Sequence, residues 1–271
     1  MVENKLNGNK CIALEREAAE SVNRKVAVLQ SNYIPWKGYF DLIHRVDHFV
    51  LLDEVQYTKN DWRNRNRIKT PHGAKWLTIP VEFKYSSRQS IADTVVAGHH
   101  WRRKHWTNLL SNYNRSPHFA LYCDELEEAY LGSRRVYLSE INCSFLRMAC
   151  RWLGIHTPIL NSLDYQLRVG KSDRLVDLCL KLGASEYLSG PAARNYLDER
   201  LFVEAGIKVS WMDYSGYPEY PQFHPPFEHA VTVLDILFHL GPHAPEFIWD
   251  WRRSVPCSET SRPAMVSRGH E

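Results

Sequence analysis

The residues best suited to chemistry in this chain gather between Gln30 and Asn66. Asp53 closes an apolar run and offers a carboxylate that can serve as a general base, a metal ligand or a helix cap. Tyr57 and Lys59 follow it closely, and the three form the candidate catalytic set. Gln56, Trp62, Arg63, Arg65 and Asn66 come next as candidate substrate contacts. Arg63, Arg65, Arg67 and Lys69 alternate along the chain, so an extended segment would put all four on one face. Guanidinium groups grip carboxylate or phosphate with two parallel hydrogen bonds, although a solvated charged face has the same spacing. Trp62 and Tyr57 carry rings that can stack on a sugar or a base.

Upstream, Gln30, Asn32, Tyr33, Trp36, Gly38 and Tyr39 surround a turn between an apolar run and a helical pattern. Many α/β proteins bring an anion to a helix N-terminus through such a turn, where a glycine lets a ligand approach the backbone. The same residues equally describe a tight turn that buries Trp36. Ser189 and Gly190 mark a second small-residue turn, able either to expose backbone donors to an anion or simply to join a strand to a helix. Neither turn is a Walker loop or GxGxxG, and Ser189 lies outside any GxSxG. The 13 histidines cluster only at His99, His100 and His105 and at His239 and His243, with no HExxH. No metal is assigned.

These groups need elements to hold them. Strands are expected at Val26 to Gln30, His48 to Asp53, Trp76 to Val81, Ile159 to Leu163, Glu186 to Leu188 and Lys208 to Met212, with an edge strand over Ser90 to Val96. Helical spacing of apolar residues marks Gly38 to Arg45, Tyr137 to Leu153, Ser172 to Leu182, Ala193 to Glu204 and Thr232 to Leu240. A longer helical region, Trp101 to Tyr130, should break near Ser116-Pro117, because proline lacks a backbone donor. Alternating strands and helices give an α/β fold, Rossmann-like, with a mostly parallel sheet and an inserted helical part at about 101–153. Residues 25–253 form this domain; 1–24 read as a flexible extension and 254–271 as a disordered tail. The loop Tyr214 to Phe227 is long and aromatic, which favours a binding role over disorder.

Composition narrows the partners. A net charge of +3 on 271 residues excludes wholesale attraction to nucleic acid and leaves only local patches, such as Trp101 to Trp106, for tRNA. The six cysteines form no CxxC pair, and no secretory leader is visible. Both features suggest a reduced, cytoplasmic protein. No run approaches the ~20 apolar residues of a membrane span.

Several longer strings carry a family resemblance. Gln30 with Asn32-Tyr33-Ile34-Pro35-Trp36-Lys37-Gly38-Tyr39-Phe40-Asp41-Leu42-Ile43, then Leu52-Asp53-Glu54-Val55-Gln56-Tyr57 and Trp62-Arg63-Asn64-Arg65-Asn66, resemble the WbqC-like family. Leu77-Thr78-Ile79-Pro80-Val81, Tyr187-Leu188-Ser189-Gly190 and Leu234-Asp235-Ile236-Leu237 agree in order. Ser31 departs from the proline usual in that family. The turn also resembles the HxGH turn of nucleotidylyltransferases, with Trp36 and Tyr39 where the histidines would stand.

The resemblance implies a role in surface-glycan, O-antigen or natural-product biosynthesis, with aminoacyl (for example glycyl) transfer suggested for the family. The leading expectation is therefore a transferase that joins an acyl group to an amine of a nucleotide-linked sugar or small metabolite. Its activated donor is left open among an aminoacyl-tRNA, an ATP-derived adenylate and a carrier thioester. A nucleotidylyltransferase-like enzyme that activates a carboxylate with ATP and a non-catalytic nucleotide-sugar-binding module are the alternatives.

Overall fold

The computed structural model describes residues 23–82 and 88–253. In chain order the strands are β1 (Lys25–Leu29), β2 (His48–Leu51), β3 (Arg65–Thr70), β4 (Gly73–Thr78), β5 (Ile159–Asn161), β6 (Glu186–Ser189) and β7 (Lys208–Trp211). The helices are α1 (Lys37–His44), α2 (His100–Tyr113), α3 (Cys123–Leu131), α4 (Leu138–Trp152), α5 (Lys171–Lys181), α6 (Glu199–Glu204), α7 (Val233–Leu240) and α8 (Ala244–Ile248).

Alternation along β1 explains its central place. Successive side chains of a strand point to opposite faces. Val26 and Val28 therefore face one way and Ala27 and Leu29 the other, and all four are apolar. A strand of this kind must be covered on both sides, which is the environment of a parallel sheet between helical layers. Five parallel strands indeed form one sheet in the order β5-β2-β1-β6-β7. Val26, Val28 and Val50 pack with Leu175, Leu178 and Cys179 of α5 and with Phe202 of α6. Ala27, Phe49 and Leu51 pack on the other face with residues of α1, α4 and α7. The protein is an α/β, Rossmann-like fold.

The helices α2, α3 and α4 lie between β2 and β5 in the chain. Three details differ from the sequence reading. The strand expected at Trp76 to Val81 is shifted to Gly73–Thr78 and pairs antiparallel with β3 outside the main sheet. Residues 90–96 contribute isolated bridges rather than a strand. The helix expected from Ala193 becomes a 3-10 turn, Pro191–Asn195, followed by the short α6. There the Asp198 carboxylate accepts the Arg200 N–H and starts the helix afresh. The tail at 254–271 and nearly all of the extension at 1–24 lie outside the described residues.

Candidate functional site

Strand order reverses between β1 and β6: from β1 the chain builds outward to β2 and β5, then returns to β6 and β7. Open α/β sheets bind ligands at the carboxyl ends of the strands beside such a switch. Asp53 sits at this edge, fully buried. Its Oδ1 accepts the Ser31 N–H at 2.8 Å, and its other oxygen accepts the Ser139 hydroxyl. Asn142 donates to Ser31 Oγ at 3.1 Å and to the Arg63 carbonyl at 2.8 Å. The ends of β1 and β2 are thereby tied to the first turns of α4. Proline in place of Ser31 would have no N–H for this clamp. Asp53 is a positioning group here, with both oxygens turned to the protein.

The turn after β1 is fastened with similar care. Ile34 has a φ of 36°, a left-handed conformation unusual for a β-branched residue. The Asn66 amide holds it by donating to the carbonyls of Tyr33 and Ile34 at 3.1 and 2.8 Å. Tyr33 is buried, its hydroxyl 2.8 Å from His105 Nδ1 and 2.6 Å from the Tyr130 hydroxyl. Burial, with a smaller push from Lys104, lowers the His105 pKa to about 4 against a backbone hydrogen bond, so the imidazole is neutral at pH 7. Tyr39 is also inside, donating to the Gln30 carbonyl at 2.9 Å. Gly38 has a packing reason: a Cβ there would meet the Trp36 indole at 2.3 Å. What the glycine admits is Trp36's own ring.

Trp36 then faces a cavity of about 210 Å³, lined also by Asn32, Pro35, Trp62, Asn66 and Ala230. This is smaller than the ~300–1,000 Å³ of drug-sized sites and suits a single ring or a short acyl group. The Asn32 side-chain oxygen accepts from Arg63, whose guanidinium also lies 3.5 Å from Asp61. Burial pushes the Asp61 carboxyl upward, but Arg63, Thr58 and the Trp62 N–H draw it net below its ordinary range. On the β6 side, Tyr214 packs edge-on against Trp36 with ring centres 5.1 Å apart and reaches toward Gly190. Ser189 is buried, and its carbonyl accepts the Met212 N–H at 2.8 Å.

The cation ladder divides. Arg65, Arg67 and Lys69 do share one face, since β3 is extended, whereas Arg63 belongs to the turn before it. Arg67 donates to the Ala230 carbonyl at 3.0 Å, and Lys69 donates to the Pro226 carbonyl. Both therefore bind the aromatic loop to the hairpin. Arg65 lies over the Trp76 ring at 4.2 Å, and Trp76 stands 5.3 Å from Trp62, centre to centre. Both tryptophans are about 40% exposed, a ledge leading out of the cavity. Gln56 and Lys59 are exposed at this edge, while Tyr57 is buried and its phenol is raised to about 12, by burial first and then Asp61.

Two buried carboxylates pin the aromatic loop. Tyr217 donates to Asp41 of α1 at 2.6 Å, and Tyr220 donates to Asp235 of α7 at 2.6 Å. Under the loop lies Lys37, a residue the sequence reading passed over as part of the turn. It is 3% exposed, its Nζ has no hydrogen-bond partner, and the rings of Tyr217, Tyr220 and Phe227 surround it at 5.0, 5.3 and 5.6 Å. Burial lowers its pKa to about 8, with Asp235 and Glu219 opposing. A lone lysine in a sequence gives no hint of such burial.

Elsewhere, a wider groove of about 1,110 Å³ opens at the ends of β2 and β5, with Arg134, Arg135, Arg147 and Arg151 on its walls. It lies off the switch point, and Arg151 is already paired with Glu125. In the run Trp101 to Trp106, both tryptophans, Arg102 and His105 turn inward, leaving Arg103 and Lys104 exposed. No helix among the described residues is long and apolar enough to cross a membrane.

The sheet defines an α/β, Rossmann-like protein with a tryptophan-walled cavity beside its switch point. The model of the WbqC-like protein family matches residues 30–247, and the chain belongs to that family. It is 49% identical over 225 residues to an uncharacterised protein of Mycobacterium tuberculosis, covering 83% of this chain and 97% of the relative. No solved structure matches.

Proposed function

We propose that the protein is a transferase attaching an aminoacyl or related acyl group to an amine of a nucleotide-linked sugar or small metabolite, in surface-glycan or natural-product biosynthesis. The observation that carries this reading is the 210 Å³ cavity at the carboxyl edge of the sheet, walled by Trp36 and Trp62. Flat apolar walls with Asn32 between them suit a sugar-like ring, which offers an apolar face and polar edges. Arg63 orients Asn32, and Asp53 and Asn66 fix the turn that carries it. Lys59 is the exposed cation of this edge and the member of the candidate catalytic set with access to solvent.

Mass spectrometry of metabolites from cells with and without the gene tests the proposal. The expected result is loss of a product and accumulation of an amine lighter by one acyl group. Unchanged metabolite pools would overturn it. One observation favours a second reading, a module that binds a nucleotide sugar without turning it over: Asp53, Tyr33, Tyr39 and Asn66 all direct their polar atoms at the protein. Loss of product with unchanged ligand binding in Lys59→Ala would exclude that module.

A further inference from the structure

Two buried nitrogens under the aromatic loop lack hydrogen-bond partners. One is Lys37 Nζ and the other is His229 Nδ1. Native proteins pair nearly all buried polar atoms, so each exception calls for an explanation. These two are neighbours in effect as well as in kind. Burial lowers the pKa of both, and Lys37 lowers His229 further. Their surroundings are largely aromatic: Tyr217, Tyr220 and Phe227 ring Lys37, and Phe227 lies 4.6 Å from the His229 ring.

The acidic groups nearby do not close the gap. Glu219 and Asp235 act on Lys37 through space without a contact, and Glu219 and Glu228 act likewise on His229. Asp235 is taken by Tyr113, Tyr220 and Gln222, and Glu228 faces Arg67 at 3.6 Å. The location is equally informative. Trp36 and Ala230 line the cavity, and Lys37 and His229 are their direct chain neighbours.

We propose that Lys37 and His229 form an anion-binding annex of the cavity, which receives a carboxylate or phosphate group once the 214–231 loop shifts to admit it. The geometry supplies two unpartnered nitrogens grouped around the Phe227 ring, with Tyr217 and Tyr220 completing an aromatic surround. An anion there would satisfy both orphan atoms and offset the Lys37 charge that disfavours protonation of His229. Binding would then draw protons onto the pair, so affinity should fall as pH rises. In the transfer reading, on which only the origin of the ligand rests, the anion belongs to the acyl donor: a free carboxylate or a donor phosphate.

The test uses the full chain and two probes, inorganic phosphate and glycine, titrated calorimetrically at pH 6.5 and pH 9 against a sodium chloride control. The expected result is saturable binding of one probe, at least tenfold weaker at pH 9 and at least tenfold weaker in Lys37→Met at pH 6.5. The probe that binds distinguishes phosphate from carboxylate. His229→Phe should weaken it as well, which keeps the test decisive if one variant folds poorly. Equal binding in wild type and both variants, or no saturable binding of either probe, would overturn the proposal and leave the pair bridged by water. No acyl donor or amine acceptor enters this experiment, so its failure and the failure of the transfer reading are separate outcomes.

Discussion

Lys37 and Asp53 show how the same property, burial, gives two charged residues opposite consequences. Asp53 has both oxygens occupied, so its burial is compensated and its removal strands the Ser31 N–H and the Ser139 hydroxyl. Asp53→Ala should cost about 3 kcal/mol in urea unfolding, given ~1–3 kcal/mol for each buried group left unpaired. A wild-type midpoint would refute the clamp. Lys37 has no such compensation. Its folded pKa near 8 lies below the ordinary 10.5, so between those values the unfolded chain holds more protons. Stability should therefore rise with pH from about 8 to 10.5, since it increases wherever the unfolded state binds the extra proton. In anion-free buffer at pH 7, Lys37→Met should raise stability by about 3 kcal/mol, the free-energy equivalent of that shift. The same variant should flatten the alkaline rise, as urea midpoints at pH 7 and pH 10 will show.

Among the elements, the aromatic loop, the hairpin and the turn before α1 act as one assembly. Tyr217 and Tyr220 tie the loop to α1 and α7, while Arg67 and Lys69 tie it to the hairpin. Hydrogen bonds to charged groups are worth ~1.5–3 kcal/mol each, so losing one hydroxyl should loosen the loop without unfolding the domain. Tyr217→Phe should speed limited proteolysis between residues 214 and 231 while leaving the circular dichroism spectrum intact. Unchanged cleavage would mean that the tyrosine bond does not hold the loop. At the turn, Gly38→Ala should displace the Trp36 indole, because the added Cβ falls 2.3 Å from it. The indole forms a wall of the cavity, so ligand affinity should drop at least tenfold while unfolding changes little. Calorimetry with the proposed nucleotide-sugar ligand provides the check.

At the scale of the whole molecule, two apolar clusters share one sheet. β1 and β2 contribute alternate residues to each, so neither cluster can melt while the other keeps its strands. Unfolding followed by far-ultraviolet circular dichroism and by tryptophan fluorescence should therefore give coincident curves, the mark of a single cooperative transition. Separate midpoints would show that the helices covering the two faces are independent.

Local pattern determined much of this in advance. Short continuous apolar runs and stripes with period 3.6 marked the five sheet strands and most helices, because burial on both faces of a strand or along a helix stripe writes itself into nearby residues. The long motifs around Asn32, Trp36, Asp53 and Arg63 marked the candidate site, since the loops at the strand ends are continuous in sequence. The hairpin at Arg65–Thr70 was hidden because its polar, charged strand has no apolar alternation to read. Tertiary structure alone decided the rest: which polar groups stay open to the cavity and which are taken up by the protein. Asp53, Tyr33 and Asn66 point inward because their partners, Ser139, Tyr130 and the turn carbonyls, come from other parts of the fold. Lys37 is a buried, unpaired cation only because Tyr217, Tyr220 and Phe227 arrive from nearly two hundred residues away. Burial and hydrogen bonding are set by such distant neighbours, and no local spacing records them.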